Sequence, residues 1–213
     1  TFISNNFEVV SHKETEDDPG AGVGSGFDAT VWRGRAGSPY DGQVYVSMQG
    51  TLGAQDFLSD VNLASPFGIA RNQIVDMVNW WNQITTPTTD MAKQIGKLAP
   101  DYAGGATVLV PGTPIAGTGL LVNPGAVQVN GHSLGGHLAA AFARLMGDRA
   151  AGDGNGGVSI NSVTTFNSAG FAPGSEAAFA ELQNAMGIGA TSFKGGKQTN
   201  VFAENGINVT TNT

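Results

Sequence analysis

The sequence predicts one α/β domain, with a central, mostly parallel sheet flanked by helices and an antiparallel β-meander at its N-terminal end. Strand-like and helix-like segments alternate after residue 106, which is typical of parallel βαβ crossovers. Three strand-like segments, separated by turn signals, come before residue 50. A chain of 213 residues with 40% hydrophobic residues can bury roughly 70% of its unfolded surface. Residues 1–213 are therefore predicted to share a single core.

The first fifty residues favour the β-meander. Residues 20–26 are rich in glycine, and the cluster at residues 38–42 ends in Asp-Gly, which suits a tight hairpin turn. Between and around these turn signals lie the strand-like segments at residues 7–10, 27–32 and 44–48. Consecutive strands joined in this way pair antiparallel.

A change in the spacing of apolar residues then predicts a helix. Apolar residues recur at helical spacing between residues 66 and 84, and Pro87 ends the pattern. Residues 91–98 either extend this helix or form a short second one. The apolar stretch 106–122 is broken by proline and glycine, which excludes a helix. It forms either a lid or acyl-binding flap over a site, or an ordinary β-hairpin packed on the core.

The second half of the chain carries the alternating pattern. A buried strand at residues 126–130 leads through a Gly-rich turn into a helix at 137–146. A strand at 158–166 follows, then a helix that runs from Ser175, the expected N-cap, to residue 186, and a last strand at 200–203. These strands are predicted to run parallel in one sheet.

The composition excludes several classes of function. Ten Lys and Arg against 17 Asp and Glu give a net charge of −7, so no nucleic acid partner is expected. The chain has no Cys and only 3 His, which excludes thiol chemistry and the usual zinc frameworks. No cofactor is expected. For the acidic run at residues 14–18, a solvated loop is favoured over calcium binding, and no motif supports a structural calcium site.

The chain is interpreted as a processed or trimmed piece of a secreted protein. Its first residue is Thr1, and it ends in a small polar run. No apolar run approaches the roughly 18 to 20 residues of a membrane span, and no signal-peptide pattern is present. A Cys-free, acidic composition rich in Gly, Asn and Thr is typical of exported bacterial proteins. The expected location is extracellular.

Gly131, Ser133 and Gly135 form a G-x-S-x-G pattern that carries the predicted chemistry. In a chain with 32 Gly the pattern alone is weak. Here, however, it follows a β-branched strand and opens a helix, which is the context of a nucleophilic serine. The glycines leave room where strand and helix pass closely, and the positive end of the helix dipole lies behind the serine. Ser133 is therefore predicted to be the nucleophile; the alternative is a Gly-rich turn with a capping serine.

A hydrolytic serine also needs two hydrogen-bond donors for the oxyanion. The backbone N–H of Leu134, directly after the nucleophile, is the first. The strand at residues 44–48 runs into Gln49, Gly50 and Thr51 and is the only early strand that ends in a Gly-bearing turn followed by a conspicuous polar motif. The backbone N–H of Thr51 is therefore predicted to be the second donor.

Several segments resemble class 3 (fungal-type) lipases and bacterial RTX-type lipases. Residues 44–51 and 56–61 are similar to the family's strand, R-G-T turn and D-W-L-x-D segment, although Gln49 stands where Arg is common. Residues 130–137 resemble the family's nucleophile elbow, and residues 165–168 resemble the strand end that follows it. The resemblance spans residues 40–205, with the elbow as its specific part. It implies an α/β-hydrolase fold and hydrolysis of acylglycerols, phospholipids or other lipid esters.

The acid of the expected Ser-acid-His triad is assigned to Glu204. Among the acids after Ser133, only Glu204 directly follows a strand-like segment. Its segment also resembles the strand end that carries the family's acid. Two alternatives stay open. Glu204 is a surface turn carboxylate, or the position of the family's catalytic acid corresponds to Gly206 or Asn208.

None of the three histidines suits the role of base. His12 lies in the N-terminal segment, His132 fills the variable position of the elbow, and His137 lies one turn down the helix, where packing is expected. Two explanations remain. The favoured one is that the catalytic His belongs to a polypeptide C-terminal to Thr213, which makes residues 1–213 the N-terminal portion of a longer hydrolase. The other is a catalytically inactive relative.

The sequence thus predicts a single lipase-like catalytic domain. Its expected function is a serine hydrolase, a triacylglycerol lipase or esterase, that cleaves carboxylic esters of lipids through an acyl-enzyme on Ser133. The enzyme alternatives are a phospholipase A1 and a polyester hydrolase. The alternative from another class is a catalytically inactive hydrolase-fold binding module. The expected partners are a lipid or other ester at a lipid–water interface and the C-terminal remainder of the same protein.

Overall fold

The computed structural model describes residues 1–14, 25–50, 69–98, 107–150, 154–171, 173–192 and 194–202. Its elements, in chain order, are α1 (Phe2–Asn6), β1 (Phe7–Glu14), β2 (Asp28–Gly34), β3 (Val44–Met48), α2 (Arg71–Thr85), β4 (Met91–Ala92), β5 (Ile95–Leu98), β6 (Val108–Pro111), β7 (Ile115–Ala116), β8 (Ala126–His132), α3 (Leu134–Met146), β9 (Ser159–Phe166), α4 (Ser175–Met186), a 3-10 turn (Gly195–Lys197) and β10 (Gln198–Val201).

Six of these strands form one sheet in the order β1-β2-β3-β8-β9-β10. β1, β2 and β3 pair antiparallel, whereas β3, β8, β9 and β10 run parallel to one another. The predicted β-meander and mostly parallel sheet are thereby confirmed. Residues 35–43 connect β2 to β3, so the Asp-Gly pair lies in a longer loop than the expected tight hairpin.

One face of the sheet is buried beneath helices. Every second side chain of β3 is buried, and the same alternation runs along β8 and, past a bulge, along β9. α3 packs against β3, β8 and β9, and its residues from Leu134 to Met146 are all buried. The main core therefore lies between this face and the helices, and we call it the helix-covered face.

α2 and α4 pack beside α3 on the same side of the sheet. Trp80 of α2 contacts Phe27, with 5.7 Å between ring centroids, and Trp81 contacts Phe142 of α3 at 4.8 Å. The Arg144 guanidinium of α3 lies 3.9 Å from the ring centroid of Phe179 in α4. This is a mixed α/β architecture with a mostly parallel sheet flanked by helices, and it is not specific to the hydrolase fold.

Residues 91–98 form two short strands, so the helix predicted there is wrong. β4 pairs with β7, and β5 pairs with β6, both antiparallel. Asn79 of α2 holds the start of β5, because its Oδ1 accepts from the Ile95 N–H at 2.7 Å and its Nδ2 donates to the Ile95 carbonyl at 3.0 Å. These partners come from distant parts of the sequence, which local periodicity does not register.

The helices differ in detail from the prediction. The N-cap of α4 is Gly174, with φ 96°, and not Ser175; glycine adopts this left-handed backbone without a Cβ clash. α2 begins at Arg71, and residues 66–68, expected at its start, lie outside the described residues. α1 has no counterpart in the prediction and begins with a capping box of Thr1 and Ser4. Within the described residues, no helix combines the length and apolar character needed to cross a membrane.

Candidate active site

The carboxyl ends of β3, β8, β9 and β10 meet at one edge of the sheet, because these strands are parallel. We call this edge the carboxyl edge. The residues that directly follow the four strands are Gln49, Ser133, Asn167 and Phe202. Ser133 follows an interior strand, with β3 on one side and β9 on the other. Ligands commonly bind outside the carboxyl ends of strands in such sheets.

Ser133 occupies a strained turn between β8 and α3. Its φ is 55° and its ψ is −121°, a conformation that costs a non-Gly residue about 1–3 kcal/mol. Its N–H donates to the Phe166 carbonyl of β9 at 2.8 Å, and its own carbonyl accepts from the Gly136 N–H at 3.0 Å. The side chain is half-buried, and its hydroxyl forms no hydrogen bond with any described residue. The turn thus places a hydroxyl without a described partner at the carboxyl edge.

The glycines on either side of Ser133 are required by close backbone contacts. A Cβ on Gly131 would overlap the carbonyl of Gly135, and a Cβ on Gly135 would overlap the carbonyl of Met48 at the end of β3. A Cβ on Gly50 would lie 2.5 Å from the His132 carbonyl oxygen. The strand-to-helix crossing is therefore as tight as the sequence pattern predicted.

Leu134 begins α3 and is buried. Its backbone N–H belongs to the first turn of the helix, where no carbonyl within the helix can accept it, and no described residue accepts it. Gly50 lies close by, because a Cβ on Gly50 would be 3.4 Å from the Leu134 nitrogen. The end of β3 and the start of α3 thus meet beside Ser133. Thr51, the predicted second donor, follows Gly50 in the sequence but lies outside the described residues.

Glu204, the expected triad acid, also lies outside the described residues. The strand before it exists and spans Gln198–Val201, close to the expected 200–203. It pairs with the strand after α3, so its carboxyl end lies on the β9 side of Ser133. The N–H of Asn167 donates to the Val201 carbonyl at 2.8 Å, which holds the two strand ends together.

His137 is a neutral structural residue. It is fully buried, its Nε2 accepts from the Ala70 N–H and its Nδ1 donates to the Gly170 carbonyl, both at 3.3 Å. Its ring lies 4.3 Å from that of Phe171. Burial lowers the pKa of His137 from 6.5 to about 4, against the opposing effect of the hydrogen bonds to the backbone at Gly170 and Ala169. These contacts agree with the packing role expected from the sequence.

The other two histidines form no hydrogen bond with Ser133. His12 lies on β1 and is separated from β8 by two strands; its Nδ1 contacts the Thr30 hydroxyl at 3.0 Å. His132 is exposed and pairs in register with Phe166 of β9. No imidazole of the described residues therefore acts on the Ser133 hydroxyl in this conformation.

Exposed apolar side chains, none of them predicted as site residues from the sequence, lie at the β9 and β10 end of the carboxyl edge. Phe166, Val201 and Phe202 are 43%, 45% and 63% exposed. Phe166 accepts the Ser133 N–H through its carbonyl and pairs with Val201. The alternation along β9 is the one signal that could have placed Phe166 on the exposed face. Large exposed apolar groups beside a serine favour contact with an apolar ligand.

Residues 107–122, which we call the flap segment, form strands and not a helix, as predicted. Leu109 and Leu121 are buried, whereas Val108, Ile115 and Leu120 are exposed. Glu181 of α4 accepts the Leu109 N–H at 2.7 Å and pairs with Arg71 of α2. These contacts hold the segment on the core, but β6 and β7 pair with β5 and β4 and not with each other, so the segment does not form the expected hairpin by itself. A lid role stays a prediction.

The described residues contain no group of three or more His, Asp or Glu that could hold a metal ion. Among the described residues, the polar groups at the carboxyl edge are backbone N–H groups, hydroxyls, amides and the His132 imidazole. Backbone N–H groups and amides can stabilise a developing negative charge.

Comparison with known proteins gives no relative. No protein-family model matches the chain, and no curated protein and no solved structure matches it significantly. The geometry of the carboxyl edge is therefore the basis for assigning a function.

Proposed function

We propose that this protein is a serine hydrolase that cleaves carboxylic esters of lipids through an acyl-enzyme on Ser133. One observation carries the proposal: Ser133 has a strained, left-handed backbone at the turn between an interior parallel strand and a buried helix. Strain of this size persists only where surrounding contacts impose it, and it is concentrated at functional sites. A capping serine does not need such a backbone, and Ser133 makes no side-chain cap hydrogen bond to α3.

In the proposed reaction the Ser133 Oγ attacks the ester carbonyl carbon. The carbonyl oxygen becomes an oxyanion, which accepts a hydrogen bond from the N–H of Leu134, for which the described residues offer no acceptor, and, by our proposal, from the N–H of Thr51. The C–O bond to the alcohol breaks, and the alcohol leaves with a proton. Water then attacks the acyl-enzyme, releases the carboxylic acid and returns the proton to Ser133.

The reaction needs a base for the Ser133 proton. Both ring nitrogens of His137 are bonded to the backbone, and His12 lies on the far side of the meander. We propose that a histidine from the C-terminal remainder of the same protein acts as the base and that Glu204 is the acid that orients it. A secreted location belongs to the same proposal.

The apolar carboxyl edge supports lipid esters as the substrate class. Phe166, on the strand next to Ser133, and Val201 and Phe202, at the end of the strand after it, offer exposed apolar surface at this edge. Burial of such surface by an acyl chain is favourable at roughly 25 cal/mol per Å². A triacylglycerol lipase or esterase is our first choice. A phospholipase A1 and a polyester hydrolase have the same catalytic requirement and are the enzyme alternatives.

The second candidate function is a catalytically inactive binding module. The observation that favours it is the lack of any described imidazole bonded to Ser133. A fluorophosphonate probe, which forms a covalent bond with an activated serine, separates the two candidates.

The experiment labels the whole natural protein, with any chain beyond Thr213, and two variants. We expect labelling of the wild type, its loss in Ser133→Ala and its retention in Ser168→Ala. Ser168 is a matched control, because it is a half-buried serine at the same edge of the sheet. A folded wild-type protein without labelling would support the binding module and contradict the hydrolase.

A further inference from the structure

The sheet face opposite α3 carries uncharged polar side chains in a regular array. Directly paired residues of neighbouring strands project to the same face. One row across β2, β3, β8 and β9 consists of Thr30, Ser47, Asn130 and Thr164. Each of these residues is half-buried, whereas the residues before and after it in its strand are buried. The row is therefore accessible on a face that no described helix covers.

A second row runs parallel to the first, two residues away along each strand. It consists of Trp32, Tyr45, Gln128 and Ser162, again in register and again half-buried. Two aromatic rings thus lie at one end of the array and an amide and a hydroxyl at the other. We call the two rows together the polar face.

Much of the hydrogen-bonding capacity of the polar face is unused. Ser47, Asn130, Ser162 and Thr164 form no side-chain hydrogen bond with any described residue. Gln128 donates to the Gln43 amide oxygen at 3.0 Å and keeps its own oxygen free of described partners. Because neighbouring strands lie about 4.8 Å apart, these donors and acceptors repeat at a regular spacing.

The polar face also lacks charge. The strands β3, β8 and β9 contain no Asp, Glu, Lys or Arg, although the chain has 27 such residues. Ionisable groups begin at the β2 edge of the face, where Asp28 lies two residues before Thr30 and His12 contacts the Thr30 hydroxyl at 3.0 Å. A sheet covered by helices on both faces has strands that are apolar on both sides, and a face that only meets water normally carries charged side chains. The polar face fits neither description.

We propose that the polar face binds a neutral polysaccharide. Sugar hydroxyls donate to and accept from hydroxyl and amide side chains without a counter-charge, which matches Ser47, Asn130 and Thr164. Sugar rings present C–H faces that pack on aromatic rings, which matches Trp32. The neighbouring Tyr45 ring already packs edge to face with Phe7, with 5.5 Å between the ring centroids. A second copy of this chain fits less well, because the centre of a stable protein–protein interface is more apolar. The proposal does not depend on the chemistry of Ser133.

The test measures depletion of purified protein from solution by three insoluble, uncharged polysaccharides: cellulose, xylan and mannan. The variant Gln128→Lys/Thr164→Lys puts two long, charged side chains in the centre of the face. The matched control is Asn184→Lys, at an exposed position of α4. Circular dichroism establishes that all three proteins fold.

We expect the wild type and Asn184→Lys to bind at least one of the three polysaccharides equally. The double variant should bind about tenfold more weakly, from the loss of one or two hydrogen bonds. The proposal is overturned by a lack of wild-type binding to all three or by equal binding of the double variant. Wild-type dimerisation in sedimentation that the double variant abolishes would assign the face to a second copy and also overturn it.

Discussion

The two faces of the sheet differ in how deeply their residues are buried and how closely they are packed. On the helix-covered face, Val163 is 1% exposed, and a single carbon added to Gly135 would overlap the Met48 carbonyl. On the polar face, the next residue, Thr164, is half-buried, and its side chain forms no hydrogen bond with a described residue. Ser133 stands at the edge where the two faces meet. The close packing of the helix-covered face imposes the strained turn, whereas no described helix covers the other face.

The largest effect is expected for Gly135→Ala. The new Cβ must displace the end of β3 or the start of α3, so the free energy of unfolding should fall by about 3 kcal/mol. Urea unfolding measures the difference. Gly189→Ala is the control, because no atom lies near its Cβ and its φ is not left-handed; we expect a change of at most about 0.5 kcal/mol. Equal stability of the two variants would contradict the close packing of the elbow.

A pH effect of similar size is expected from His137. Its pKa is lowered to about 4 by burial, so the unfolded chain takes up a proton near pH 6.5 while the folded protein does not. The stability is complete above this pH and decreases by about 3 kcal/mol as the pH falls from 6.5 to 4. Urea unfolding across this range measures the loss.

Two variants isolate the contribution of His137. His137→Gln should flatten the pH dependence between 6.5 and 4, whereas His132→Gln, at an exposed position, should leave it unchanged. The lowered pKa values of Asp148 and Glu176, which are due first to hydrogen bonds with Lys197 and Arg144, cause a further loss of stability at lower pH in all three proteins. A pH dependence that persists in His137→Gln would assign the effect to these carboxylates.

The neighbours Val163 and Thr164 test the comparison of the two faces directly. Val163→Ala removes buried methyl groups and should lower the free energy of unfolding by about 2 kcal/mol. Thr164→Ala removes accessible atoms and should change it by at most about 0.5 kcal/mol. Thermal and urea unfolding of both variants give the values. A large loss in Thr164→Ala would mean that the polar face is packed against another part of the protein.

The smallest effect is expected at the flap segment. Glu181→Gln weakens the pair with Arg71 and the acceptor for the Leu109 N–H, which should cost about 1 kcal/mol. Hydrogen exchange at the Leu109 amide should accelerate. Glu8→Gln disturbs only an exposed pair with Arg33 and should cost about 0.5 kcal/mol or less. If the exchange rate in Glu181→Gln is unchanged, Glu181 does not anchor the flap segment.

The fold could be predicted where its signals are local. The alternation of β3 and β8, the glycines of the elbow and the apolar period of α2 all lie within short windows. The strands at residues 91–98 could not be predicted, because β4 and β5 depend on β7, β6 and Asn79, which lie elsewhere in the sequence. The N-cap of α4 is Gly174 and not Ser175, because the left-handed glycine lets the helix start one residue earlier than predicted.

The candidate site also contains residues that the sequence could predict and residues that it could not. Ser133 and Leu134 are adjacent in one motif, so the sequence could identify them together. The tether of His137 to Ala70 and Gly170 joins segments far apart in the chain, and no local pattern indicates it. The exposure of Phe166 and Phe202 depends on which strands lie beside them. Thr51 and Glu204 stay predictions, because both lie outside the described residues.

The nucleophilic role of Ser133 is tested most directly by locating the covalent adduct of the fluorophosphonate probe. Tandem mass spectrometry of peptides from the labelled natural protein identifies the modified residue. We expect one adduct, on Ser133, that forms in the folded protein and is absent after unfolding in urea. An adduct on Ser168 or another serine, with Ser133 unmodified, would contradict it.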